Sequence, residues 1–182
     1  MALRERCPVI ELRPVALALV IDASSSMDAP TRDGRPKRDA AVEAAKNVVA
    51  LLGRGVAGDG VAIVAFNDDA TVVAPLSADR AALAQALDGV RTAPGSRLDL
   101  GIEAATTLLA ATRPDTIRVM AAVTDGEIDE ALGERTVGAG DRARTLGIAV
   151  HVVGIGADPF NAMMMAVAGD SEHYHAAPDA ED

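Results

Sequence analysis

The chain has 182 residues, 49% hydrophobic and 24% charged, which suits one folded domain with a sizeable core and excludes intrinsic disorder. Its 27 acidic residues outweigh 17 basic ones for a net charge of −10, and aromatic residues make up 2% with no Trp. Such a surface repels phosphate backbones and offers no base-stacking platform, so nucleic-acid binding is excluded as a general role. The lone Cys7 cannot close an intrachain disulfide, and no Cys/His spacing suggests zinc. No segment approaches the ~18 apolar residues that span a bilayer, so direct membrane insertion is not expected.

In chain order, Val15 to Ile21 is continuously apolar, the signature of a strand buried on both faces of a parallel sheet. Arg4, Arg6 and Arg13 precede it, but the run is too short for an export signal, and the strand reading accounts for it better. A polar loop from Ser24 to Arg35 follows Asp22. Pro36 then opens a helix expected to reach about Leu52, with Ala41, Ala45, Val48, Val49 and Leu52 on one face.

Val61–Phe66 and Thr71–Leu76 flank the short link Asn67-Asp68-Asp69-Ala70, which permits only an antiparallel hairpin. Pro75 puts its second strand at a sheet edge. Asp79 is placed to cap a helix ending near Leu87, and a further helix is expected from about Leu98 to Ala111. Ile117–Val123 is the next buried strand and ends at Thr124-Asp125-Gly126. A helix is expected over Asp129–Leu146, broken near Gly138 and Gly140, then a strand at Ile148–Gly154. A short helix over Pro159–Ala168 and a last strand around His173–His175 complete the set. Strands alternating with helices predict an α/β fold: a doubly wound, Rossmann-like, mostly parallel sheet with one antiparallel edge strand and helices on both faces. The expected division is an N-terminal extension over 1–14, one domain over 15–177 and a tail over 178–182.

Open α/β sheets bind ligands beyond the carboxyl ends of their strands. At that rim lie Asp22, Ser24 and Ser26 after the first strand, Ser96 before a helix, and Asp125 at the end of a later strand. All their donor atoms are oxygen, which suits a hard divalent cation: Mg²⁺, with Mn²⁺ or Ca²⁺ as alternatives. Neutral serine ligands leave such an ion electrophilic, and carboxylates held behind waters leave a coordination position open for an incoming carboxylate.

These residues resemble the von Willebrand factor type A domain with a metal-ion-dependent adhesion site. The Asp-x-Ser-x-Ser motif reads Asp22-Ala23-Ser24-Ser25-Ser26, followed by Met27. The second motif reads Gly95-Ser96-Arg97-Leu98, with Gly101 five residues after Ser96, and Thr124-Asp125-Gly126 is the third. The likeness covers about Val15 to Ala177. It implies a non-enzymatic binding module whose metal is completed by a Glu or Asp of a partner protein.

Two departures stand out. Ser96 replaces the family's threonine, which keeps the hydroxyl and loses the methyl that stiffens it, implying weaker metal binding. The chain also stops before the helix that usually follows the last strand, which implies an excised domain or a sheet face covered by Met1–Arg13. The compartment is left open, between the cytoplasm and a domain of a larger protein.

Plainer roles are open to each residue alone. Ser96 with Asp99 fits a helix cap, Ser26 a loop hydroxyl, and Asp125-Gly126 a turn. Gly169-Asp170-Ser171 with His173 resembles a serine-esterase block, so a hydrolase using that serine or a rim metal is one alternative. An assembly or sensor subunit for an ATPase or membrane protein is another. His173 and His175 share one strand face and suit either exposed positions or a transition-metal pair, while His151 reads as a core histidine. Arg32, Arg35, Lys37 and Arg38 form a basic cluster beside the rim, suited to attracting an acidic partner.

Overall fold

The computed structural model describes residues 12–51, 58–156 and 161–177. Six strands form one sheet: β1 (Val15–Asp22), β2 (Gly60–Phe66), β3 (Ala70–Ser77), β4 (Ile117–Thr124), β5 (Ile148–Ile155) and β6 (Tyr174–Ala177). Their order is β3-β2-β1-β4-β5-β6, and every neighbouring pair is parallel except β2–β3. The helices are α1 (Lys37–Leu51), α2 (Arg80–Asp88), α3 (Leu98–Ala110), α4 (Gly133–Thr145) and α5 (Ala162–Ala168).

β1 runs down the middle of the sheet because it is apolar on both sides. Ala16, Ala18 and Val20 face a core built with Leu98, Ile102, Ala105 and Leu109 of α3 and the buried sides of α4 and α5. Leu17, Leu19 and Ile21 face the opposite core, with Ala41, Ala45 and Val49 of α1 and Leu83 and Leu87 of α2. The doubly wound sheet with one antiparallel edge is therefore as expected. Asp79 caps α2 by accepting a hydrogen bond from the Ala82 N–H. Pro75 does lie on the edge strand, beside a shift in the β2–β3 register where its missing N–H is tolerated.

One expectation and one of the plainer alternatives need correction. The helix expected over Asp129–Leu146 starts later, after a 3₁₀ turn at Glu130–Leu132, and it passes unbroken through Gly138 and Gly140. Tertiary packing overrides the weak helix propensity there: a side chain at Gly140 would lie 2.4 Å from the Val167 carbonyl oxygen, so α4 and α5 meet closely at that position. The capping role for Ser96 also fails. Arg97 is the residue before α3, with no side-chain cap bond, and Asp99 is buried in a bidentate pair with Arg97 at 2.8 Å for each bond. Cys7, Leu52, Pro159 and both terminal segments beyond residues 12 and 177 lie outside the described residues.

Candidate metal centre

The chain leaves β1 toward β2 and β3 on one side, then crosses to β4 on the other. The carboxyl ends of β1 and β4 therefore form the switch point where doubly wound sheets open a crevice. Asp22 ends β1 and Asp125 immediately follows β4, with Ile21 and Val123 in register.

Asp22 is fully buried, and desolvation raises its carboxyl pKa, opposed by the hydrogen bonds it accepts. Its Oδ1 accepts from the Ser24 N–H at 2.8 Å and its Oδ2 from the Thr124 hydroxyl at 2.6 Å. Thr124 Oγ1 in turn accepts from the Gly126 N–H at 3.0 Å. Thr124 thus ties the β1 loop to the β4 loop, a role the sequence alone did not single out. The Ser24 and Ser26 hydroxyls lie 2.9 Å apart, Ser24 just before and Ser26 within a 3₁₀ turn (Ser25–Asp28) anchored by the fully buried Met27.

The loop carrying Ser96 is sewn to the same rim by backbone bonds. The Ala93 N–H donates to Ala23 O, the Asp68 N–H to Pro94 O and the Arg97 N–H to Asn67 O. Gly95 makes this approach feasible: its φ is +95°, and a Cβ there would lie 2.5 Å from the Asp68 backbone. The Ser96 hydroxyl oxygen is buried and has no hydrogen-bond partner. Among the described residues only the Thr106 hydroxyl shares that condition. Thr92, the other hydroxyl in this loop, instead donates to Asp28 at 2.7 Å.

Asp125 has a fully buried side chain. Its Oδ2 accepts from the Lys37 ammonium at 3.0 Å and its Oδ1 from the Glu127 N–H at 3.2 Å. The basic cluster foreseen beside the rim thus divides. Lys37 reaches inward to a site carboxylate, while Arg35 and Arg38 pair with Asp33, Glu43, Asp28 and Asp39 at the surface. No sequence signal announced a contact between residues 88 apart.

Chemically, the rim offers two buried carboxylates, two mutually bonded serines and an unpaired buried hydroxyl, all oxygen, as a hard cation requires. The Gly169-Asp170-Ser171 block lies elsewhere, on the turn between α5 and β6. There Asp170 accepts from the Glu172 and His173 N–H groups and pairs with the His173 ring.

Similar proteins agree with this architecture. An uncharacterized protein of Synechocystis sp. is 28% identical over 146 residues, covering 79% of this chain and 32% of the relative, so the chain spans about a third of that protein's length. An aerotolerance-related membrane protein of Bacteroides fragilis, carrying mutations to serine, superposes with a TM-score of 0.74 at 20% identity, over 91% of this chain and 92% of that one. The von Willebrand factor domain of the pili tip protein Mfa5 from Porphyromonas gingivalis gives 0.77 at 14%, over 92% and 90%. Proximal thread matrix protein 1 of the mussel byssus, with a zinc-occupied metal-ion-dependent adhesion site, gives 0.77 at 22%, over 93% and 43%. At these identities the structural likenesses show the fold alone. The von Willebrand factor type A domain model matches residues 16–182, and the chain belongs to that family.

Proposed function

We propose that the domain, over residues 15–177, is a non-enzymatic protein-binding module that presents a divalent cation at the sheet rim. Ser24, Ser26 and Ser96 would hold Mg²⁺ through their hydroxyls, with Asp22 and Asp125 directing its waters and offsetting its charge; Mn²⁺ or Ca²⁺ are the alternative occupants. When bound, the ion supplies Lewis acidity toward one carboxylate of a partner's Glu or Asp. The protein's own residues fix the donors, keep them dehydrated and set the approach.

One observation carries this reading: the buried Ser96 hydroxyl without a partner. A desolvated hydroxyl left unpaired costs about 1–3 kcal/mol, so an oxygen-seeking ligand is the economical explanation of its placement. The zinc held at the adhesion site of the mussel protein supports a cation on this fold. A serine hydrolase gains no support, because Asp170 is engaged in the turn and the block lies away from the rim.

Calorimetric titration with MgCl₂ tests the site. One equivalent should bind to the parent chain and none to Asp125→Ala or Asp22→Ala variants whose circular dichroism is unchanged. A peptide library selected in Mg²⁺ and counter-selected in EDTA tests the partner: enriched sequences should share one acidic residue whose amide replacement abolishes capture. Equal Mg²⁺ binding by parent and variants sinks the site, and selected peptides without a required acid sink the recognition mode.

A further inference from the structure

All three histidines of the chain meet at one place, away from the sheet rim. The Val152 N–H donates to His173 O and Val152 pairs with Tyr174, which sets His151 of β5 beside His173 and diagonal to His175 of β6. Side chains at these alternate positions share one face of the sheet. The His151 ring lies 4.7 Å from that of His173 and 5.6 Å from that of His175, nearly parallel to the latter. His151 Nδ1 and His175 Nε2 are 3.3 Å apart.

We infer that His151, His173 and His175 form a second metal site, distinct from the rim and selective for a transition-series divalent ion such as Zn²⁺. Two imidazole nitrogens bound at ~2.0–2.1 Å in a tetrahedral shell are separated by about 3.3–3.4 Å, the spacing His151 and His175 already have. Those two nitrogens share one proton in the metal-free chain. Ligation moves it to the other nitrogen of the same ring, a tautomer change that needs no net loss of a proton.

His173 is prepared for a ligand's role by Asp170, whose Oδ1 stands 2.7 Å from His173 Nδ1. A carboxylate there fixes the proton on Nδ1 and leaves the Nε2 lone pair free, the usual support behind a metal-bound histidine. Among the described residues no three such side chains already stand around one metal position. The His151 and His175 nitrogens have the right spacing but face one another, so for three nitrogens to converge on one ion both rings tilt and the partly exposed His173 turns toward them, with the exposed Asp170 carboxylate following it. Imidazole donors discriminate against Mg²⁺, so the two sites take different ions.

The test uses the untagged full chain in millimolar MgCl₂, titrated with CoCl₂ and then ZnCl₂. About one equivalent of Co²⁺ should give the intense visible bands of a four-coordinate ion, and Zn²⁺ should abolish them. The His151→Gln/His175→Gln double variant should weaken binding at least about tenfold, and Asp170→Asn should weaken it several-fold. Ser96→Ala, folded normally by circular dichroism, should leave it unchanged. Absent bands, bands that persist in the histidine double variant, or bands lost in Ser96→Ala would each overturn the inference, the last by placing the ion at the rim.

Discussion

Lys37 is the first residue of α1, where the helix dipole disfavours a cation, yet its ammonium is turned onto the buried Asp125 carboxylate. The pair makes sense as a charge balance: without a cation nearby, Asp125 would be a dehydrated and uncompensated anion. Lys37 therefore holds an oxygen that a divalent ion at the rim would also attract. Lys37→Met should destabilise the metal-free chain by about 2 kcal/mol, less than a fully enclosed pair because the lysine is partly exposed. With the ion bound, Asp125 is compensated and most of that cost disappears. Mg²⁺ affinity should then rise roughly ten- to thirtyfold, the same energy expressed as binding. Calorimetry on both chains checks this, and an unchanged or weakened affinity would show that Lys37 does not compete with the metal.

At the level of elements, strands buried on both faces read plainly as apolar runs, so β1, β4 and β5 and the polar residues after β1 and β4 were legible before any coordinates. What stayed hidden depends on contacts between distant elements. A cap at Ser96 stayed open as the plainer alternative to a metal ligand, because local spacing says nothing of Arg97 taking the Asp99 carboxylate. The meeting of His151 with His173 and His175 required the β5–β6 register. The unbroken α4 required knowing that α5 docks on it.

That docking yields a pair of opposite predictions within α4. Glycine to alanine inside a helix ordinarily stabilises by about 1 kcal/mol. Gly138→Ala should follow that rule, since its Cβ would meet only the flexible Arg142 guanidinium at 3.4 Å. Gly140→Ala should instead destabilise by roughly 1–3 kcal/mol, because the new methyl collides with the Val167 carbonyl, which also accepts a bond from Arg144. Urea midpoints of the two variants decide it; shifts of the same sign would mean that α4 and α5 are not packed so closely.

Across the whole molecule, the cation proposed for the rim would also be a folding ligand, since the residues proposed to hold it lie on three separate segments that only the native fold brings to one edge of the sheet. Ligand at about 100 times its Kd adds ~2.7 kcal/mol of stability. For a chain of this size that corresponds to a rise in Tm of about 5–10 °C. The net charge of −10 complicates the measurement, because any added cation relieves self-repulsion of the folded chain. KCl at matched ionic strength removes that general contribution, and Ser96→Ala supplies the specific control. Its hydroxyl makes no hydrogen bond in the fold, so losing it should leave the metal-free Tm unchanged or slightly raised. The Mg²⁺-dependent rise, by contrast, should fall by more than half. A variant that loses intrinsic stability but keeps the full Mg²⁺ response would mean that Ser96 serves the fold and that the ion is held without it.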